Sequence, residues 1–144
     1  MGYKSLTDAG TIKKELPIDW GYFTKKIGDC YVSTIQCRAS DPRERNNLHQ
    51  DIQYRFTTDE LKALIPPEAN SSFAMVNLLR DVAYRRDKLA GRINDRLKKN
   101  LSRTKLNGGN FAAVIDLLEW RYGRALRQMC LYDALIYMLN GPRS

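Results

Sequence analysis

Apolar positions are spaced for strands between residues 20 and 57, and for helices from residue 73 onward. Residues 20–27 and 31–38 are rich in aromatic and β-branched side chains. Gly28-Asp29 splits them, which predicts a hairpin. Residues 51–57 alternate strictly, with Ile52, Tyr54 and Phe56 on one face and Gln53, Arg55 and Thr57 on the other, the pattern of a half-buried strand. The polar residues 39–50 between them carry Asp41-Pro42 and Asn46-Asn47 and read as a loop. Thr57 stands three residues before Glu60, the capping-box spacing, and opens a short helix through Ile65. Pro66-Pro67 ends it, because neither ring nitrogen can donate a hydrogen bond.

Two long helices follow, over residues 73–101 and 111–139. Asn70, Ser71 and Ser72 offer caps to the first, Asn107-Gly108-Gly109-Asn110 separates the two, and Gly141-Pro142 stops the second. A short connection predicts an antiparallel helical hairpin. On the first helix Met75, Val76, Leu79, Val82, Ala83, Leu89, Ala90, Ile93, Leu97 and Leu101 share a core face. The second carries Phe111, Val114, Ile115, Leu118, Tyr122, Ala125, Leu126, Met129, Tyr132 and Ile136 on one face. Leu117, Trp120, Leu131, Leu135 and Met138 lie nearly opposite. Such a helix is expected between two layers: the first helix on one side, and on the other the strands or a second subunit. The expected fold is α+β and predominantly helical, a single domain over 1–144. Residues 1–17 form a flexible arm in this reading, 18–57 a strand-rich part with a small sheet, and 58–140 the helical part.

Two charges interrupt the apolar faces, Arg86 on the first helix and Asp133 on the second. In an antiparallel hairpin turning near Asn107 they fall within about one turn of each other. An unpaired buried charge is costly, so a structural ion pair between them is expected, fixing register more than adding net stability.

Charge alters the picture next. The net charge is +8. Residues 1–69 hold ten basic and ten acidic side chains, so the entire excess lies in the second half. Wound at 100° per residue, Arg85, Lys88, Arg92, Arg96, Lys99 and Arg103 fall in an arc of roughly 80° beside the core face. A stripe of this length suits a phosphate backbone, and the planar fork of Arg can donate two hydrogen bonds to one phosphate. Asp81 and Asp95 lie near it and weaken it. Arg121, Arg124 and Arg127 border the second helix's minor apolar face. They either extend the basic surface or pair with Asp116 and Glu119, and pairing is expected for at least one.

No catalytic constellation accompanies this charge. There is no glycine-rich phosphate loop, nucleophile elbow or His-Glu metal helix, and the lone His49 stands in a polar loop. Cys30, Cys37 and Cys130 match no zinc spacing and are expected reduced. No enzyme activity, cofactor or metal is therefore expected. Tyr22, Phe23, Tyr31, Tyr54 and Phe56 on the strands would stack single-stranded bases if they faced outward, although alternating aromatics more commonly build a core.

No apolar run is long enough to span a membrane, and residues 1–14 lack a signal-peptide core. The expected compartment is the cytoplasm, or the nucleus of a eukaryotic host. The leading functional expectation is a basic, intracellular nucleic-acid-binding protein, for DNA or RNA, that contacts phosphates with low sequence specificity. The alternative is a non-enzymatic assembly, adaptor or inhibitor protein, such as a viral component. Its second apolar helix face would then meet a partner or another copy in a homo-oligomer, and its stripe an acidic protein.

Overall fold

The computed structural model describes residues 16, 18–104 and 111–141, with the backbone alone for 101–104. The arm expected over residues 1–17 and the Asn107–Asn110 turn lie outside these residues, Leu16 excepted. The fold is α+β. Three strands, β1 (Ile18–Ile27), β2 (Cys30–Ala39) and β3 (His49–Thr57), form an antiparallel meander in the order β1-β2-β3. The helices α1 (Thr58–Lys62), α2 (Ser72–Thr104), α3 (Phe111–Arg121) and α4 (Gly123–Asn140) follow.

The β1–β2 hairpin turns through Gly28, whose φ of 61° is the left-handed conformation that glycine adopts without steric cost. Register pairs Thr24 with Ser33, and Ser33 with Tyr54. That register gives the sheet one face of Trp20, Tyr22, Thr24, Tyr31, Ser33, Ile35, Cys37, Ile52, Tyr54 and Phe56. This face takes the helices. On the reverse face Val32 and Thr34 are also buried, being flanked across the ladder by Lys25 and Arg55 and by Phe23 and Gln53. Gln53 Nε2 donates to Thr34 Oγ1 at 3.3 Å.

At the end of β3, Thr57 Oγ1 accepts from the Glu60 backbone N–H at 3.0 Å, and Glu60 Oε1 accepts from the Thr57 N–H at 3.2 Å. That reciprocal capping box starts α1, and Leu61 carries it into the core.

α4 lies directly on the sheet. Ser33 Oγ donates to the Cys130 carbonyl at 3.1 Å, and the Tyr137 ring meets Tyr31 edge-on at 5.9 Å. α2 packs antiparallel against α4 and reaches edge strand β1 where Trp20 Nε1 donates to Asn94 Oδ1 at 3.1 Å. Ile93, Leu97, Leu118, Leu126, Met129 and Leu135 fill the space between.

Two expectations need correction. The second long helix is two helices, broken at Tyr122 (φ −111°, ψ 11°) immediately before Gly123, a weak helix former. The buried Tyr122 ring holds this joint in place, its hydroxyl accepting from Asn100 Nδ2. The minor apolar face is covered unevenly: Leu135 is 3% exposed and Leu117 packs against the core, whereas Trp120 is 93% exposed. Val76, assigned to the core face, is 47% exposed, and Phe73 78%. With Arg86 opposite Asp133, the end of α4 at Asn140 falls level with about residue 79 of α2. The first turns of α2 therefore run past their packing partner.

Candidate functional site

The basic stripe lies on the side of α2 turned away from the sheet. Arg85, Lys88, Arg92, Arg96 and Lys99 are all exposed, and the Arg103 side chain lies outside the described residues. Their circumstances differ. Arg85 Nε pairs with Asp81 Oδ2 at 3.1 Å, and its guanidinium lies near the Tyr132 hydroxyl. The Tyr132 hydroxyl, with the Asp81 charge, holds its pKa above the ordinary value. The Lys88 ammonium stands over the Tyr84 ring, 5.7 Å from its centre. Arg92 and Arg96 have no ion-pair partner among the described residues. Their spacing of four residues sets their Cα atoms about 6 Å apart along the axis, near twice the roughly 3.4 Å axial spacing of phosphates on one DNA strand.

The second basic group spans the helix break. Arg121 ends α3, while Arg124 and Arg127 lie in the first turns of α4. All three are exposed. The expected pairing with Asp116 or Glu119 does not form among the described residues. Neither acid stands three or four residues from any of these arginines, the spacing that brings side chains together on a helix, and Glu119 instead accepts from Gln50 Nε2 at 3.0 Å. Arg127 turns to Glu60, with N···O 4.0 Å, and lies over the Phe56 ring at 5.0 Å. Arg121 and Arg124 have no ion pair among the described residues.

Arg86 and Asp133 meet where α2, α4 and β1 converge. Arg86 Nη1 bonds Asp133 Oδ1 at 3.0 Å, Arg86 Nε bonds Asp87 Oδ1 at 3.0 Å, and Thr24 Oγ1 donates to Asp133 Oδ2 at 2.6 Å. Burial opposes the Arg86 charge, but the Asp87 hydrogen bond and the surrounding groups outweigh it and keep its pKa above the ordinary value. Tyr22 lies beneath the guanidinium at 5.8 Å. Burial pushes its hydroxyl above the usual tyrosine range, with Arg86 pulling the other way. Tyr22, Thr24, Arg86, Asp133 and Tyr137 help to line an open cleft of about 420 Å³. The two principal charges in it are bonded to each other, which suits a structural staple better than acid–base chemistry.

The sheet aromatics divide unevenly. Phe56 and Tyr31 are buried, Tyr22 and Tyr54 are half-buried on the helix-facing side, and only Phe23 of the five lies on the open face. Among the described residues the sheet therefore presents no multi-ring stacking platform. His49 is exposed at the start of β3. Among the described residues no cluster could hold a metal ion, and no helix is long and apolar enough to cross a membrane.

The exposed surface that sequence reasoning misplaced is Trp120. Helical periodicity assigned it to an apolar face expected to be covered, and the structure leaves it 93% exposed, two residues before the helix break. Comparison of the chain with protein-family models, with curated proteins and with solved structures returned no match.

Proposed function

We propose that this protein binds nucleic acid, DNA or RNA, through its phosphates, with the α2 stripe as the primary contact and low sequence specificity. The observation that carries the reading is the state of Arg92 and Arg96. They are exposed, one turn apart, and free of acidic partners among the described residues, so their charge is available to a polyanion. Lys88 and Lys99 extend the row on either side. Arg85 contributes less, since Asp81 and Tyr132 already engage it. The reading assigns no catalysis or cofactor to the protein.

The test is binding of labelled single- and double-stranded DNA and RNA over a salt series, for wild type and for a variant with Arg92, Arg96 and Lys99 changed to Gln. The expected result is a linear fall of log K with log salt. The variant's slope is shallower by about 2–3 units, the worth of three phosphate contacts. No binding at low salt refutes the proposal.

A second reading, an assembly or adaptor protein, draws support from Phe73, Val76 and Tyr84, which are exposed in a row at helical spacing on α2. The apolar contact surface then lies there and not on Leu131, Leu135 and Met138, which pack into this chain's own core. A salt-insensitive dimer with no affinity for DNA or RNA favours this reading over the first.

A further inference from the structure

We infer that Trp120 is a base-stacking residue that gives the protein a preference for single-stranded nucleic acid, an inference that rests on the nucleic-acid reading above. Trp120 is 93% exposed, the most open large apolar side chain among the described residues. An indole carries far more apolar surface than most side chains, and leaving it in water forgoes the stabilisation that burial would give. It makes no ring contact with another described aromatic residue.

Its surroundings identify the occupant. Arg121 follows it directly, Arg124 lies one turn on, and neither is neutralised by an acid among the described residues. Glu119, the nearest acid in sequence, is held by Gln50, and the exposed Asp116 stands one turn before Trp120, so the cationic side of the ring is the one towards α4. An exposed ring followed in the chain by two unneutralised arginines fits a base and its adjoining phosphates, because the ring stacks on the base while the guanidiniums meet the backbone. A neutral apolar partner would leave both arginines unpaired at its edge.

Position agrees. The Asn100–Tyr122 hydrogen bond ties the α3–α4 joint to the last third of α2, the part that carries Arg96 and Lys99. The ring and the stripe therefore stand at the same end of the molecule. In a duplex the bases are stacked on one another, and only a single strand offers a free face to an isolated surface ring.

Anisotropy titrations with a fluorescein-labelled 20-nucleotide oligo-dT, an oligo-U and a mixed-sequence duplex, for wild type, Trp120→Ala and Trp120→Phe, test this directly. Both substitutions are at a solvent-exposed position, and thermal melting checks that each variant folds. Trp120→Ala is expected to weaken single-strand binding by roughly 5- to 100-fold, the worth of one stacked base, and to leave duplex binding within about twofold. Trp120→Phe retains most of the affinity. Tryptophan emission falls when oligo-dT binds wild type and not when it binds Trp120→Ala, in which the half-buried Trp20 is the internal control.

Wild-type single-strand affinity in Trp120→Ala, alongside weakened binding by the Arg92/Arg96/Lys99 variant, overturns the stacking role and leaves the phosphate-binding reading standing. Equal weakening of single-strand and duplex binding overturns it as well. A dimer that Trp120→Ala dissociates overturns it in favour of a subunit contact. Absence of any binding by wild type removes both proposals together.

Discussion

Asp133 on α4 bonds Arg86 on α2 at 3.0 Å through one carboxylate oxygen while its other oxygen accepts from Thr24 on β1 at 2.6 Å. The pair is thus a junction of three elements that are distant in sequence. Arg86 and Asp133 retain 22% and 14% of their side-chain exposure, so water still reaches both. Asp133→Asn is expected to cost about 3 kcal/mol, the lower end of the range for breaking a buried pair. Urea denaturation of Asp133→Asn, Arg86→Met and the double variant measures it. A coupling energy near zero in that cycle would show that the two residues merely coexist.

Gly91 lies near the middle of α2, exposed, with nothing within 4 Å of where a β-carbon would stand. Its helical conformation suits alanine equally well. Gly91→Ala is therefore expected to stabilise the protein by about 0.5–1 kcal/mol, read as a higher urea midpoint at unchanged slope. At Gly28 the same substitution acts in the opposite direction. A φ of 61° brings the alanine β-carbon against the following carbonyl, at a cost of about 1–2 kcal/mol.

Burial pushes the Cys37 and Cys130 thiols up to about 12, from an ordinary 9.0. The folded state thus holds these protons more tightly than the unfolded chain does. The resulting stability is complete below about pH 9 and is lost as pH rises from there towards 12. Tyr22 and Tyr54, also raised by burial, add in the same direction. Stability measured at pH 7, 9 and 10.5 should decline over the last interval, and less steeply in a Cys37→Ala/Cys130→Ala variant. At neutral pH a thiol reagent should titrate Cys30, the half-buried one, well before the other two.

Within the stripe, Arg92→Gln and Arg96→Gln should each flatten the salt dependence of duplex binding by about 0.9 units. Arg85→Gln should change it less, because Asp81 and Tyr132 compete for that guanidinium. Equal effects at all three positions would mean that nucleic acid displaces both partners.

Much of the fold is legible in the sequence. Strict alternation at Ile52, Tyr54 and Phe56, the Gly28-Asp29 turn and the Thr57–Glu60 capping box are local signals, each acting through neighbours a few residues away. The structure forms the strand, the turn and the cap at those residues. The Arg86–Asp133 proximity was legible too, since two charges on apolar faces of an antiparallel hairpin have few other ways to be satisfied.

What local pattern could not contain is the break at Tyr122. A 3.6-residue period continues through it, and the weak helix former at Gly123 does not by itself say that a helix must end. The break is stabilised by tertiary contacts, namely the buried Tyr122 ring and its hydrogen bond with Asn100, a residue 22 positions earlier. Trp120, two residues before it, is left exposed, which the apolar period did not announce. Likewise, the sequence determined that α2 is amphipathic and that its outer face is basic. That Arg92 and Arg96 meet no acid among the described residues was decided by how the side chains packed, and charge availability, unlike charge itself, is a property of the packed molecule.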